Sequence, residues 1–167
     1  MYNDERKESQ FNMFLPLLYR HPDAHAMLAG SDEYPMLRGI MNFYQTENGI
    51  LVGADVTGLP AQPPQKRGVF GLHIHEGTSC TGSDEDPFAG AMLHYNPTQM
   101  PHPFHAGDLP PLFSTSRGNA FFIFLTDAFR LNDIIGRTVI IHSAPDDFTS
   151  QPSGNSGQKI ACGIIKR

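Results

Sequence analysis

The sequence predicts an all-β fold of about eight short antiparallel strands closed into a sandwich or barrel. Three observations carry this expectation. Apolar and β-branched residues gather in short segments, one of them, 50–57, with a clear period of two, and no stretch shows a convincing helical period. Gly 16 and Pro 14 among 167 residues supply the turns such strands need. With 40% hydrophobic and 17% charged residues, the chain can bury one ordinary core.

Residues 1–22 fit no strand pattern and read as an N-terminal arm, either ordered or frayed, ahead of a domain spanning 23–167. Short strands are expected near 24–28 and 37–45. Asn48-Gly49, between apolar-rich segments, is the strongest hairpin signal in the chain, because such turns require positive φ. After it, Ile50, Val52, Ala54 and Val56 alternate with Leu51, Gly53, Asp55 and Thr57, giving a consistently apolar face. Gly58-Leu59-Pro60 ends that strand, and a proline-rich basic loop over 61–68 leads into a strand over 69–75. A strand near 112–115 turns through 116–119 into the apolar run 120–126. Residues 138–142 and 160–165 are β-branched and apolar. Two long connections remain, 76–111 and 143–159, rich in Gly, Pro, Ser and Asp. Connections longer than packing requires are often functional.

The net charge of −5 offers no basic field for a phosphate backbone, so nucleic acid is not an expected partner. No apolar run approaches the roughly 18 residues of a membrane span. Asp4, Glu5, Arg6, Lys7 and Glu8 do not form the basic start of a secretion signal. The expected form is cytoplasmic, or a secreted or periplasmic chain trimmed of its leader. Cys80 and Cys162 show no metal-type spacing; they either pair or stay buried as small hydrophobes. Pairing would close a loop worth on the order of 4 kcal/mol in the entropic picture.

Six of the eight histidines, His73, His75, His94, His102, His105 and His142, lie in or beside the two long connections. In a strand, residues two apart share a face, so His73 and His75 can reach one ion. The segment from His102 to Asp108 adds two imidazoles and a carboxylate, a donor set suited to tetrahedral zinc. Six histidines and Asp108 are too many ligands for one ion but match two four-coordinate ions sharing one ligand. A shared imidazole must then lose both ring protons.

On these residues the chain resembles the copper/zinc superoxide dismutase family. The resemblance runs from about residue 24 to the C-terminus. It rests on Gly71-Leu72-His73-Ile74-His75-Glu76-Gly77, His94-Tyr95-Asn96-Pro97, His105-Ala106-Gly107-Asp108-Leu109-Pro110, Gly136-Arg137-Thr138-Val139-Ile140-Ile141-His142 and Gly154-Asn155-Ser156-Gly157, followed by Ala161-Cys162-Gly163. The form of the zinc segment is similar to bacterial members. The resemblance implies a Greek-key β-barrel that disproportionates superoxide at a copper ion cycling between two oxidation states, beside a histidine-bridged zinc. It implies His73, His75, His94 and His142 as copper ligands and His94, His102, His105 and Asp108 as zinc ligands. Asp146 would link His73 to His102, and Cys80 would pair with Cys162. A homodimer is compatible with it. With both divalent ions and a deprotonated bridge, the net charge would be about −2, so attraction of an anionic substrate has to be local.

Three departures stand out. Lys159 occupies the position where the family carries an arginine beside copper, keeping the charge but losing the planar fork of donors. The segments between His102 and His105 and between Asp146 and Asn155 are short, and Met92-Leu93 stands where relatives often have glycines. Arg137 reads as a structural arginine bonded to loop carbonyls, and His21 and His25 receive no role. The alternative to an enzyme is a copper- and zinc-binding protein of the same fold with little turnover.

Overall fold

A computed structural model describes residues 14–167. Among these residues nine strands form: β1 (Ala24–Gly30), β2 (Arg38–Thr46), β3 (Gly49–Thr57), β4 (Val69–Phe70), β5 (Leu72–His75), β6 (Leu112–Phe113), β7 (Ala120–Thr126), β8 (Thr138–His142) and β9 (Lys159–Lys166). Seven of them make one antiparallel sheet in the order β5-β8-β9-β1-β2-β3-β7, and β4 pairs with β6 in a short separate ladder. Only Gly71 separates β4 from β5, and a six-residue turn separates β6 from β7. The small ladder therefore joins the chain neighbours of both edge strands, curling the sheet around its core.

The expected elements are present, with three differences. The segment 69–75 is two strands, because the backbone changes partners at Gly71, from β6 to β8. The hairpin closes one residue earlier than expected. Thr46 pairs with Gly49 around Glu47 and Asn48. The Thr46 hydroxyl donates to the Gly49 carbonyl and accepts from the Asn48 N–H, and Gly49 takes the positive φ, 129°. A single helical turn, α1 (Leu131–Ile134), is too short to leave a periodic signal in sequence. Of the expected arm, residues 1–13 lie outside the described residues. Leu15–Tyr19 form a 3₁₀ turn, after which Arg20 pairs with Asp23 at 2.7 Å and lies over the Tyr44 ring.

Alternation explains where the site sits. On β5, Leu72 and Ile74 point into the main core, leaving His73 and His75 for the opposite face. On β8, Val139 and Ile141 point inward, leaving Ile140 and His142 outside. All these residues are nevertheless buried, because the 76–111 connection packs over the outer face. Phe88, Ala91, Ile140 and Cys162 form a second apolar cluster there, with Cys80 against it. The Cys80–Cys162 disulfide fastens the connection to β9. Arg137 reaches the Glu76 and Asp133 carbonyls and stacks on Tyr95, as a structural arginine should.

Candidate metal centre

Backbone pairing brings the histidines together. His75 forms an isolated bridge with His94, and His73 with Asp108, so the connection adds a ragged strand beside β5. The Ile74 N–H donates to the Gly107 carbonyl, and the Tyr95 N–H to the Ile74 carbonyl, each at 2.8 Å. Two side-chain groups result, His73, His75, His94 and His142, and His94, His102, His105 and Asp108. In each, the candidate ligand atoms lie within 4.8 Å of one another. His94 belongs to both. His21 and His25 belong to neither among the described residues.

Hydrogen bonds on the far side of each ring determine which nitrogen faces inward. His75 Nδ1 lies 2.9 Å from the Met92 carbonyl, and His142 Nδ1 3.3 Å from the Gly157 carbonyl. A carbonyl only accepts, so those nitrogens carry the protons. The two Nε2 atoms then face each other bare, 3.3 Å apart. Asp146 accepts from His73 Nε2 and His102 Nε2, both at 2.8 Å. It thus holds one histidine from each group in the tautomer whose Nδ1 is free. His94 Nδ1 lies 2.8 Å from Asp108 Oδ1 and 3.4 Å from His105 Nδ1.

Three inward nitrogens, His73 Nδ1, His94 Nε2 and His102 Nδ1, are buried without a hydrogen bond; His102 Nδ1 is near Asp108 Oδ2 at 3.0 Å but off the bonding direction. Buried orphan acceptors are costly unless a cation satisfies them. They fit two ions sharing the His94 ring. The four-histidine group is a copper-type site, and the group of three histidines and one aspartate is a zinc-type site.

Electrostatics favour the neutral form of His73, His75 and His142 and the charged form of Asp108 and Asp146. Burial lowers the pKa of His73 and, more strongly, of His75, with neighbouring rings adding to the shift for His75. Burial first, then the His73 charge, brings His142 down to about 3. For Asp146, burial opposes ionisation, but bonds from His73, the Phe148 N–H and His102 win, and its pKa is about 2. Burial also opposes ionisation of Asp108, and the His94 hydrogen bond with the surrounding histidines reverses it.

A pH dependence follows. In the unfolded chain, histidine takes up a proton near 6.5, whereas folded His142 resists until about 3. The unfolded state therefore binds more protons between these values. The metal-free protein is expected to hold full stability from this group above about pH 6.5 and to lose it progressively toward pH 3. Thermal melts of metal-free protein across that range check this; a flat midpoint between pH 7 and 4 contradicts it.

Gln151 escaped the sequence reading, and Gly154 and Met92, noted there, had no physical role assigned. Gln151 clamps the His102 backbone in both directions, accepting from its N–H at 3.0 Å and donating to its carbonyl at 2.7 Å. Its partner is 49 residues away, and no spacing rule could have found it. Gly154 lies so close to Asp146 that an added Cβ would sit 2.0 Å from its Oδ1, and its φ is +67°. Met92 has φ and ψ of 63° and −140°, a conformation suited to glycine, the residue that the resemblance leads one to expect there. Its side chain is largely exposed. Met92→Gly is expected to stabilise the metal-free protein by about 1 kcal/mol, the strain relieved less the entropy glycine adds. An unchanged or lower melting midpoint would contradict this.

Lys159 is the cross-strand partner of His142 across an irregularity in the β8/β9 register. Its Nζ contacts Asp86 Oδ2 at 2.7 Å and the Phe88 carbonyl at 3.2 Å. Its charge still reaches the site, since it helps disfavour protonation of His142.

The family described as copper/zinc superoxide dismutase (SODC) matches residues 37–165. The chain is 33% identical over 142 residues to superoxide dismutase [Cu-Zn] 1 of Aquifex aeolicus, covering 77% of this chain and 79% of that protein. It is 35% identical over 139 residues to superoxide dismutase [Cu-Zn] of Legionella pneumophila, covering 79% and 80%. Among solved structures, a double mutant of a SOD-like protein from Bacillus subtilis superposes with a TM-score of 0.70 at 30% identity, covering 86% of this chain and 97% of that one. Motif order, a disulfide-fastened sheet and two ligand groups sharing one histidine all agree with these matches: the chain belongs to the copper/zinc superoxide dismutase family.

Proposed function

We propose that the protein is a superoxide dismutase, turning two superoxide anions and two protons into dioxygen and hydrogen peroxide. The observation that carries this reading is the pair of ligand groups sharing His94. His73, His75, His94 and His142 would hold copper, and His94, His102, His105 and Asp108 would hold zinc. When bound, copper supplies the one-electron couple that dismutation needs, which zinc lacks.

The protein's own groups do the rest. Asp146 and the Met92 and Gly157 carbonyls keep the inward nitrogens bare and fixed. His94 Nδ1 faces Asp108 and His105 and its Nε2 is a buried orphan; Nε2, when not engaged as a ligand, would be able to hold a proton for the peroxide product. Lys159, the cross-strand partner of His142, would supply a positive charge beside the four-histidine group that favours an anionic substrate.

The test is metal analysis followed by a superoxide assay on copper- and zinc-loaded protein. Turnover well above that of free chain with scrambled metals supports the reading. No turnover at one copper per chain would favour a metal-binding protein of the same fold. Lys159→Glu, with metal content matched, is expected to slow turnover by about tenfold or more; an equal rate would remove Lys159 from the mechanism.

A further inference from the structure

The cation expected to guide substrate already has an anionic partner. Lys159 Nζ is paired with Asp86, and the Lys159 side chain is mostly covered, 16% exposed against 45% for Asp86. Asp86 is held firmly. Its Oδ1 accepts from the Phe88 N–H at 3.1 Å, its N–H donates to the Ser83 hydroxyl, and its carbonyl accepts from the Ser83 and Ala89 N–H groups. The turn carrying it begins just after Cys80, whose disulfide to Cys162 ties it to β9, the strand that carries Lys159. The cleft beside the pair is also lined by Asp32, Glu33, Asp84 and Glu85, and Lys159 is the only basic side chain in that lining among the described residues.

We propose that Asp86 is a positioning residue that restrains Lys159, so that a small anion must compete with a fixed carboxylate for the ammonium group. This rests on reading the four-histidine group as the centre that meets superoxide. It also gives the lysine a physical meaning. An ammonium is a point charge that one carboxylate can largely satisfy, whereas a guanidinium bonded to Asp86 keeps further N–H donors for an incoming anion. In this chain the Asp86–Lys159 pair therefore sets anion affinity, and the carboxylates lining the cleft add a general repulsion that does not depend on Lys159.

The experiment compares copper- and zinc-loaded wild type with Asp86→Asn, Asp84→Asn, Lys159→Met and the Asp86→Asn/Lys159→Met double variant, titrating azide by its optical signal. Asparagine keeps the Oδ1 acceptor for the Phe88 N–H, so the turn should survive. Asp86→Asn is expected to tighten azide binding about three- to fivefold, the range one partly exposed ion pair can account for. Asp84→Asn should change it by less than about 1.5-fold, and once Lys159 is methionine Asp86→Asn should do no more than Asp84→Asn does. A second reading needs no metal: acylation of Lys159 by acetic anhydride, followed by peptide mass, should be faster in Asp86→Asn than in wild type. Equal effects of the Asp86 and Asp84 variants in the presence of Lys159, an Asp86 effect that keeps its full three- to fivefold size without Lys159, or unchanged azide affinity and acylation would each overturn the proposal. Where Asp86→Asn fails to retain metal, Lys159→Arg decides: it should tighten azide with Asp86 in place, and no change overturns the proposal. Absence of superoxide turnover in fully loaded wild type sinks the enzyme reading alone, since azide affinity and acylation still report on the pair.

Discussion

Replacing His94 with alanine is expected to lower zinc affinity by more than about 100-fold and superoxide turnover by at least a similar factor. Among the described residues no other side chain belongs to both ligand groups. Its removal takes one of four donors from each and cuts the ring that they share. Copper should survive better than zinc, because His73, His75 and His142 remain oriented by Asp146, Met92 and Gly157. His105→Ala is the matched control, since that ring belongs to the zinc-type group alone. Chelator competition for each metal, with turnover measured at equal copper content, checks the expectation. Near-normal turnover in His94→Ala at full copper would remove the shared ring from the mechanism.

Asp146→Asn should do nearly as much from outside the ligand set. The carboxylate accepts two N–H bonds, one from His73 and one from His102. An asparagine has one accepting oxygen, and its other terminus donates. One histidine therefore loses its acceptor, and its proton is free to move to the inward Nδ1, where it blocks a metal. The cost expected for such an outer partner is about 10- to 100-fold in affinity for at least one metal. Because one aspartate holds rings of both groups, the loss should also appear as coupling, with zinc loading improving copper retention in wild type and less so in the variant. Unchanged affinities for both metals would contradict this account.

The strands were legible in the sequence because alternation reports burial of one sheet face, as for Ile50, Val52, Ala54 and Val56 of β3, all in the core, and because short apolar runs such as that of β7 mark strands without alternating. The ligand residues were legible because histidine is scarce enough that six beside two loops stand out. Boundaries were less so. The split of 69–75 at Gly71 and the one-residue shift of the hairpin depend on which strand each backbone meets, and local composition carries no record of that partner.

From residue types and their order alone came the sheet-rich fold, the donor set, the resemblance and the substitution of lysine at position 159. Folding supplied what lies far apart along the chain: Gln151 clamping His102, Gly154 making room for Asp146, and Asp86 seizing Lys159 from 73 residues away. The reason is physical. Chemistry resides in side chains and can be read one residue at a time, whereas tautomer, charge pairing and close approach are properties of contacts, and long-range contacts exist only after the chain has folded.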